Sequence, residues 1–223
     1  METEDSPPRR PPSPATRSPR GRRDELILDA LERLLAKVPM SELDVEPIAA
    51  EAGITRTRFY AYYTSKNDAL AALLGRLAGI LRAGFEHPDS WFLGRPPDVR
   101  PRDALGKTIK RVIDGWWPHR FVLREACDLW TAAPEVRRTW LDALEFATAE
   151  VERAIVRERH VGVAPQGYDA RRVAEALTWQ AERINFRAWA GLPGAMSKKQ
   201  LCDVCLEAFM RMIFLADDPD PEL

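Results

Sequence analysis

Three cysteines and three histidines among 223 residues are too few for a disulfide framework or a multi-ligand metal cluster. Cys202 and Cys205 have the spacing of half a zinc site, but no second pair completes it, so no metal is predicted and the two thiols read as helix-core residues. No run of 18 apolar residues occurs. The longest candidate, Ala69 to Gly84, carries Arg76 and Arg82, which excludes a membrane span. The N-terminus lacks an apolar signal segment, and with the odd cysteine count this predicts a reducing, cytoplasmic setting. Nucleophile-elbow, P-loop and dinucleotide-fingerprint motifs are missing, and no pair of acids stands out for acid–base work, so neither catalysis nor a cofactor is expected. Lys and Arg (33) balance Asp and Glu (34), so any nucleic-acid surface must be local. No segment alternates with period two, which removes β-structure from consideration.

What remains is apolar residues at helical spacing. Residues 1–23 hold six of the 18 prolines and six arginines against three acids, and read as a disordered basic arm. From Asp24 the pattern turns helical, with Ile27, Leu31, Leu35 and Leu26, Ala30, Leu34 repeating at four residues, up to Pro39. A short helix from Val45, capped by Asp44, stops at Gly53; a second, capped by Thr55, runs to about Tyr63. Ser65 and Asp68 form a capping box for a helix to about Arg82. Residues 86–100 form a loop whose Trp91, Phe92 and Leu93 are too apolar to be fully exposed. Five further helices follow, at about 101–116, 118–132, 134–160, 169–190 and 197–215. The expectation is an all-α fold of nine helices.

Two short helices joined at Gly53 make a helix-turn-helix candidate, with Ile48, Ala49, Ala52, Ile54 and Phe59 as its shared core. Thr55, Arg56, Thr57 and Arg58 stand in the first turn of the second helix, the part that enters the major groove. Arginine bridges O6 and N7 of guanine, and threonine meets a base or a thymine methyl. Tyr60 and Tyr62 are candidate donors to phosphate. Lys66, opening the next helix, suits a phosphate both as a cation and by its free backbone N–H. No acid occurs between Glu51 and Asp68, so this stretch is the local basic surface that the net charge hides. The arginine arm is placed to reach an adjacent groove or backbone.

The run Gly53-Ile54-Thr55-Arg56-Thr57-Arg58-Phe59-Tyr60-Ala61-Tyr62-Tyr63-Thr64-Ser65-Lys66 resembles the signature of the TetR family of bacterial transcriptional repressors. The order from Asp24 to about Leu74 is similar too: helix, two-helix reader, connector. The resemblance implies a homodimer that binds a palindromic operator and is released by a small ligand. By position, Thr55, Arg56, Thr57 and Arg58 would face bases or phosphates; Tyr60, Tyr62 and Lys66 would hold phosphates; Phe59 and Tyr63 would be core. Asp44, Glu46, Pro47 and Arg58 depart from the family's usual pattern. The implied organisation is an arm at 1–23, a DNA-binding domain at 24–66, a helical ligand-binding and dimerisation domain at 67–217 and a tail at 218–223.

Six of the seven tryptophans fall between residues 116 and 189. Apolar ligand pockets are built of aromatics with a few placed polar groups. Trp116, Phe121, Trp130, Trp140, Trp179, Phe186 and Trp189 are the candidate lining, with Asn185 as its polar group and Gln180 and His119 behind. A small hydrophobic effector is the predicted occupant. Each of the last two helices carries apolar residues on two sides, Val173, Leu177, Ile184, Ala188 and Trp179, Phe186, Trp189 on one, Leu201, Val204, Ala208, Met212 and Cys202, Leu206, Phe209, Ile213 on the other. A helix apolar on two sides is buried on two sides, which predicts a homodimer through these helices. Two rivals are an all-α small-molecule carrier without a DNA role, and a helical enzyme using Cys127 or His119.

Overall fold

The computed structural model describes residues 19–214, so the predicted tail and residues 1–18 of the predicted arm lie outside the described residues. Among the described residues there are nine α-helices, three short 3-10 turns and no strand. α1 spans Pro19–Leu35, so the helix takes in the last residues of the stretch read as disordered arm. The helix ends at Leu35, before the predicted stop. Val38 precedes a proline, a position that disfavours helix, and the chain unwinds through a turn in which Lys37 and Val38 N–H both donate to Leu34 O.

α2 (Val45–Glu51) and α3 (Arg56–Tyr60) follow. Asp44 sits at the N-cap of α2, but its side chain accepts no capping hydrogen bond. Pro47 stands three residues on, where the cap would look for an N–H. Gly53 takes φ +68° in the turn between the helices, a left-handed conformation that glycine adopts without Cβ strain. α3 is shorter than predicted: Ala61 and Tyr62 leave the helix in a turn closed by Tyr63 N–H to Phe59 O at 3.0 Å. α4 (Lys66–Phe85) starts from Ser65, whose Oγ accepts from Asp68 N–H at 3.0 Å. Asp68 returns its carboxylate to Thr64 N–H at 2.9 Å, one residue before the partner of a standard capping box.

The second half comprises α5 (Pro101–Trp116), α6 (Arg120–Leu129), α7 (Pro134–His160), α8 (Ala170–Trp189) and α9 (Lys198–Phe214). α5 and α7 open on proline. α6 is shorter than its predicted span, because Trp117–His119 form a tight 3-10 turn around Pro118 and the helix closes at Leu129. In the connecting loop Trp91 and Phe92 are buried, whereas Leu93 is 55% exposed. Arg157 on α7 ties this loop down, donating to Trp91 O at 2.6 Å and Phe92 O at 2.9 Å.

Two apolar cores fill the molecule. One joins Ile27, Leu31, Ile48, Phe59 and Leu70 of α1–α4 to Val122, Leu123 and Val136 of α6 and α7. The other lies among α5, α7, α8 and α9 around Leu105, Ile155, Leu177 and Met210. α4 packs against α1, α5, α6 and α7, and so touches both. Gly115 on α5 lets it approach closely: a Cβ there would meet Ile80 Cγ2 of α4 at 3.1 Å.

Candidate nucleic-acid interface and cavity

The N-terminal end of α3 is bare. Thr55, Arg56, Thr57 and Arg58 are exposed, while Phe59 is wholly buried behind them. Thr55 Oγ1 accepts from Arg58 N–H at 3.2 Å, which fixes the first turn and leaves the hydroxyl proton free to donate. Tyr60 is 45% exposed, and the Arg56 guanidinium lies 5.8 Å from its ring centre. A groove beside these residues is lined by Asp44, Glu46, Arg56, Tyr60, Thr64 and Lys66.

Two predicted contact residues sit differently from the rest. Tyr62 is half-buried against the α1–α4 core. The Lys66 ammonium turns inward, donating to Met40 O at 2.8 Å and Leu43 O at 2.6 Å. Its charge therefore pins the turn ahead of α2. Free carbonyls cannot be inferred from side-chain chemistry, so this role is not legible in the sequence. Tyr63 is buried and its hydroxyl donates to Asp24; burial, with that carboxylate, pushes its pKa far above the ordinary value.

The second half encloses an apolar cavity of about 120 Å³ between α4, α5, α7, α8 and α9. Of the predicted lining, Trp116, Trp140, Asn185 and Trp189 face it. Trp116 lies 6.4 Å from Trp140 and 6.0 Å from Trp189, centre to centre. Phe121, Trp130, Trp179 and Phe186 do not line it. Trp130 and Trp179 pair with each other at 6.1 Å, with Trp179 39% exposed. Phe121 is covered by Arg120 and Arg124, and Phe186 by Arg183. The reason is helical register. Thr178, Glu182, Asn185 and Trp189 share one face of α8, and Trp179 and Phe186 are each one residue past a member of it. Gln180 is exposed, and His119 contacts Glu32 on α1 away from the cavity.

Sequence reasoning missed Phe85, Phe92, Ile109, Phe209, Thr178 and Glu182 in the wall. Thr178–Glu182–Asn185 at four- and three-residue spacing was the legible signal. The Asn185 amide N–H donates to Ala181 O at 2.7 Å, leaving its carbonyl oxygen for the cavity. Glu182 Oε1 accepts from Cys127 Sγ at 3.4 Å. Burial raises the Glu182 carboxyl above its usual range, and burial next to that carboxyl pushes the Cys127 thiol well up. Cys205, also in the wall, is pushed up to about 12 by burial. Among the described residues no group of three potential metal ligands occurs, and no helix is long and apolar enough to cross a membrane.

A short second helix with an exposed polar tip, backed by a first helix across a tight turn, defines the class: a helix-turn-helix, DNA-binding regulator of transcription. Residues 27–73 match the family model "Bacterial regulatory proteins, tetR family", and residues 105–215 match "Transcriptional regulator EthR, C-terminal domain". The chain is 29% identical over 194 residues to the HTH-type transcriptional regulator EthR of Mycolicibacterium smegmatis, covering 82% of this chain and 87% of that protein. Identity to EthR of Mycobacterium tuberculosis is 27% over 206 residues, 88% of this chain and 93% of that one. A crystal structure of a putative TetR-family regulator from Rhodococcus sp. superposes with a TM-score of 0.69 at 18% identity, over 86% of this chain and 99% of that one. The chain belongs to the TetR family of transcriptional regulators, with a loose similarity to EthR, the ethionamide-resistance repressor.

Proposed function

We propose that this regulator is a cytoplasmic homodimeric repressor without catalytic activity or cofactor. It binds a palindromic operator through two copies of α3 and leaves it when a small hydrophobic effector fills the cavity. Residues 24–66 act as the reader and residues 67–217 bind the effector and the partner copy. The observation that carries this is the α3 tip, with its four polar side chains exposed and no acid between Glu51 and Asp68. Arg56, Thr57 and Arg58 meet bases or phosphates, Thr55 holds the tip and donates its hydroxyl, and Tyr60 donates to phosphate. Tyr62 and Lys66 act from behind, Lys66 through the carbonyls it binds and its α4 N-terminal backbone. Dimerisation through α8 and α9 is supported by Ile184, Ala188, Cys202, Leu206, Ala208 and Met212, apolar side chains that stay partly exposed.

Release follows from α6, which bridges the two halves. On one side Glu125 accepts from Met40 N–H at 2.9 Å, in the turn that Lys66 also holds. On the other, Cys127 reaches Glu182 in the cavity wall. An effector that displaces α8 therefore pulls on the reader, and operator binding needs the two readers about one DNA turn, about 34 Å, apart. The enzyme alternative is disfavoured: the Cys127 thiol is held protonated, and His119 lies outside the cavity. Arg56→Ala and Tyr60→Phe test the proposal by gel shift against the inverted repeat beside the gene. Each is expected to weaken binding, Arg56→Ala by roughly ten- to a hundredfold if it makes a bidentate base contact. Unchanged affinity in both contradicts the reading.

A further inference from the structure

The cavity wall includes one carboxyl group and no lysine, arginine or histidine. That carboxyl, Glu182, is 7% exposed, and only one of its oxygens accepts a hydrogen bond. Oε1 accepts a hydrogen bond from the Cys127 thiol, while Oε2 accepts none. The Arg183 Nε lies 3.5 Å from Oε2, but outside hydrogen-bonding geometry and on a side chain that is 52% exposed. One turn earlier the buried Thr178 hydroxyl also lacks a partner. A buried carboxyl oxygen that accepts no hydrogen bond, in the wall of an aromatic cavity, has room for a further donor, since a buried polar atom without a hydrogen bond is costly.

We propose, building on the ligand-cavity reading above, that the effector is an apolar amine that binds as its protonated cation and donates an N–H to Glu182 Oε2. An anionic ligand would place a second negative charge beside the carboxylate, whose one nearby cation, Arg183, stands outside the wall on a half-exposed side chain. A protonated amine pairs with the carboxylate, and the wall's aromatic rings, Trp116, Trp140 and Trp189 among them, suit a cation. The Trp116 indole N–H, which also lacks a partner, is left for an acceptor elsewhere on the ligand.

The test is calorimetric titration of the full-length, DNA-free protein with three matched probes: 3-phenylpropylamine, 3-phenylpropanol and 3-phenylpropanoate. The amine is expected to bind at least about tenfold more tightly than the alcohol, and the carboxylate most weakly. Glu182→Gln is expected to bring the amine down to the affinity of the alcohol while the alcohol is little changed. An alcohol that matches the amine in the wild-type protein overturns the amine assignment and leaves the cavity reading standing; so does an amine preference that survives in Glu182→Gln. Failure of all three to bind overturns both. The wild-type ranking decides the matter even if the variant does not fold.

Discussion

Glu182 has one consequence that needs no ligand. Burial holds its carboxyl above the ordinary range, so the folded chain keeps a proton that the unfolded chain releases. The stability this confers is present in full below the ordinary value of 4.5 and is lost as pH rises through the higher folded value. Glu182→Gln has no such proton to lose. Its melting temperature should exceed that of the wild type at pH 8, by a margin that closes as the pH falls toward 4; a constant margin would contradict the burial argument. At the same scale the sequence told the exposed tip of α3 from its core correctly, since Phe59 between Arg58 and Tyr60 leaves little choice of face. It misjudged the aromatics. Tryptophans cluster in sequence for several reasons, and only register on α8 separates Trp189, in the wall, from Trp179, on the surface.

For the elements, the helices were legible where punctuation is chemical. Pro101, Pro134, Ser65 and Gly53 each mark a boundary by a missing donor, a cap or a left-handed turn. The ends at Tyr60 and Leu129 carry no such mark and fall earlier than the sequence pattern suggests, and α1 stops at Leu35, short of the proline that marks its limit. For α1 the proline also acts on the residue before it, Val38, which pulls the stop back. Gly53 offers a direct measurement. Nothing lies within 4 Å of a Cβ built there, so any cost of Gly53→Ala comes from the backbone alone. A left-handed alanine costs roughly 1–2 kcal/mol, which should appear as a lower urea midpoint with an unchanged slope. Gly53→Asn should cost less, because asparagine visits that region more readily.

In the molecule as a whole, the net charge near zero conceals a one-sided reader, and salt exposes it. In a dimer each reader offers Arg58 once. If Arg58 neutralises one phosphate per reader, Arg58→Ala should flatten the plot of log K against log salt by about 1.8, at about 0.9 per contact. A loss of affinity with no change in slope would assign Arg58 to base recognition instead. The same scale explains why the cavity's occupant was out of reach of sequence reasoning. Its wall draws on α4, the loop after it, α5, α7, α8 and α9, and one oxygen of its acid is held from a further element, α6.

The apolar core that runs from Ile27 and Phe59 to Val122 and Val136 also sets an order of events during synthesis. Until α6 has left the ribosome, Leu70, Leu73 and Leu77 have no cover on that side, and the Met40 amide has no acceptor. The newborn reader therefore waits, half-built, for residues encoded much later in its own message. A fragment cut after α4 would be born with that greasy flank uncovered, and would clump where the intact polypeptide folds.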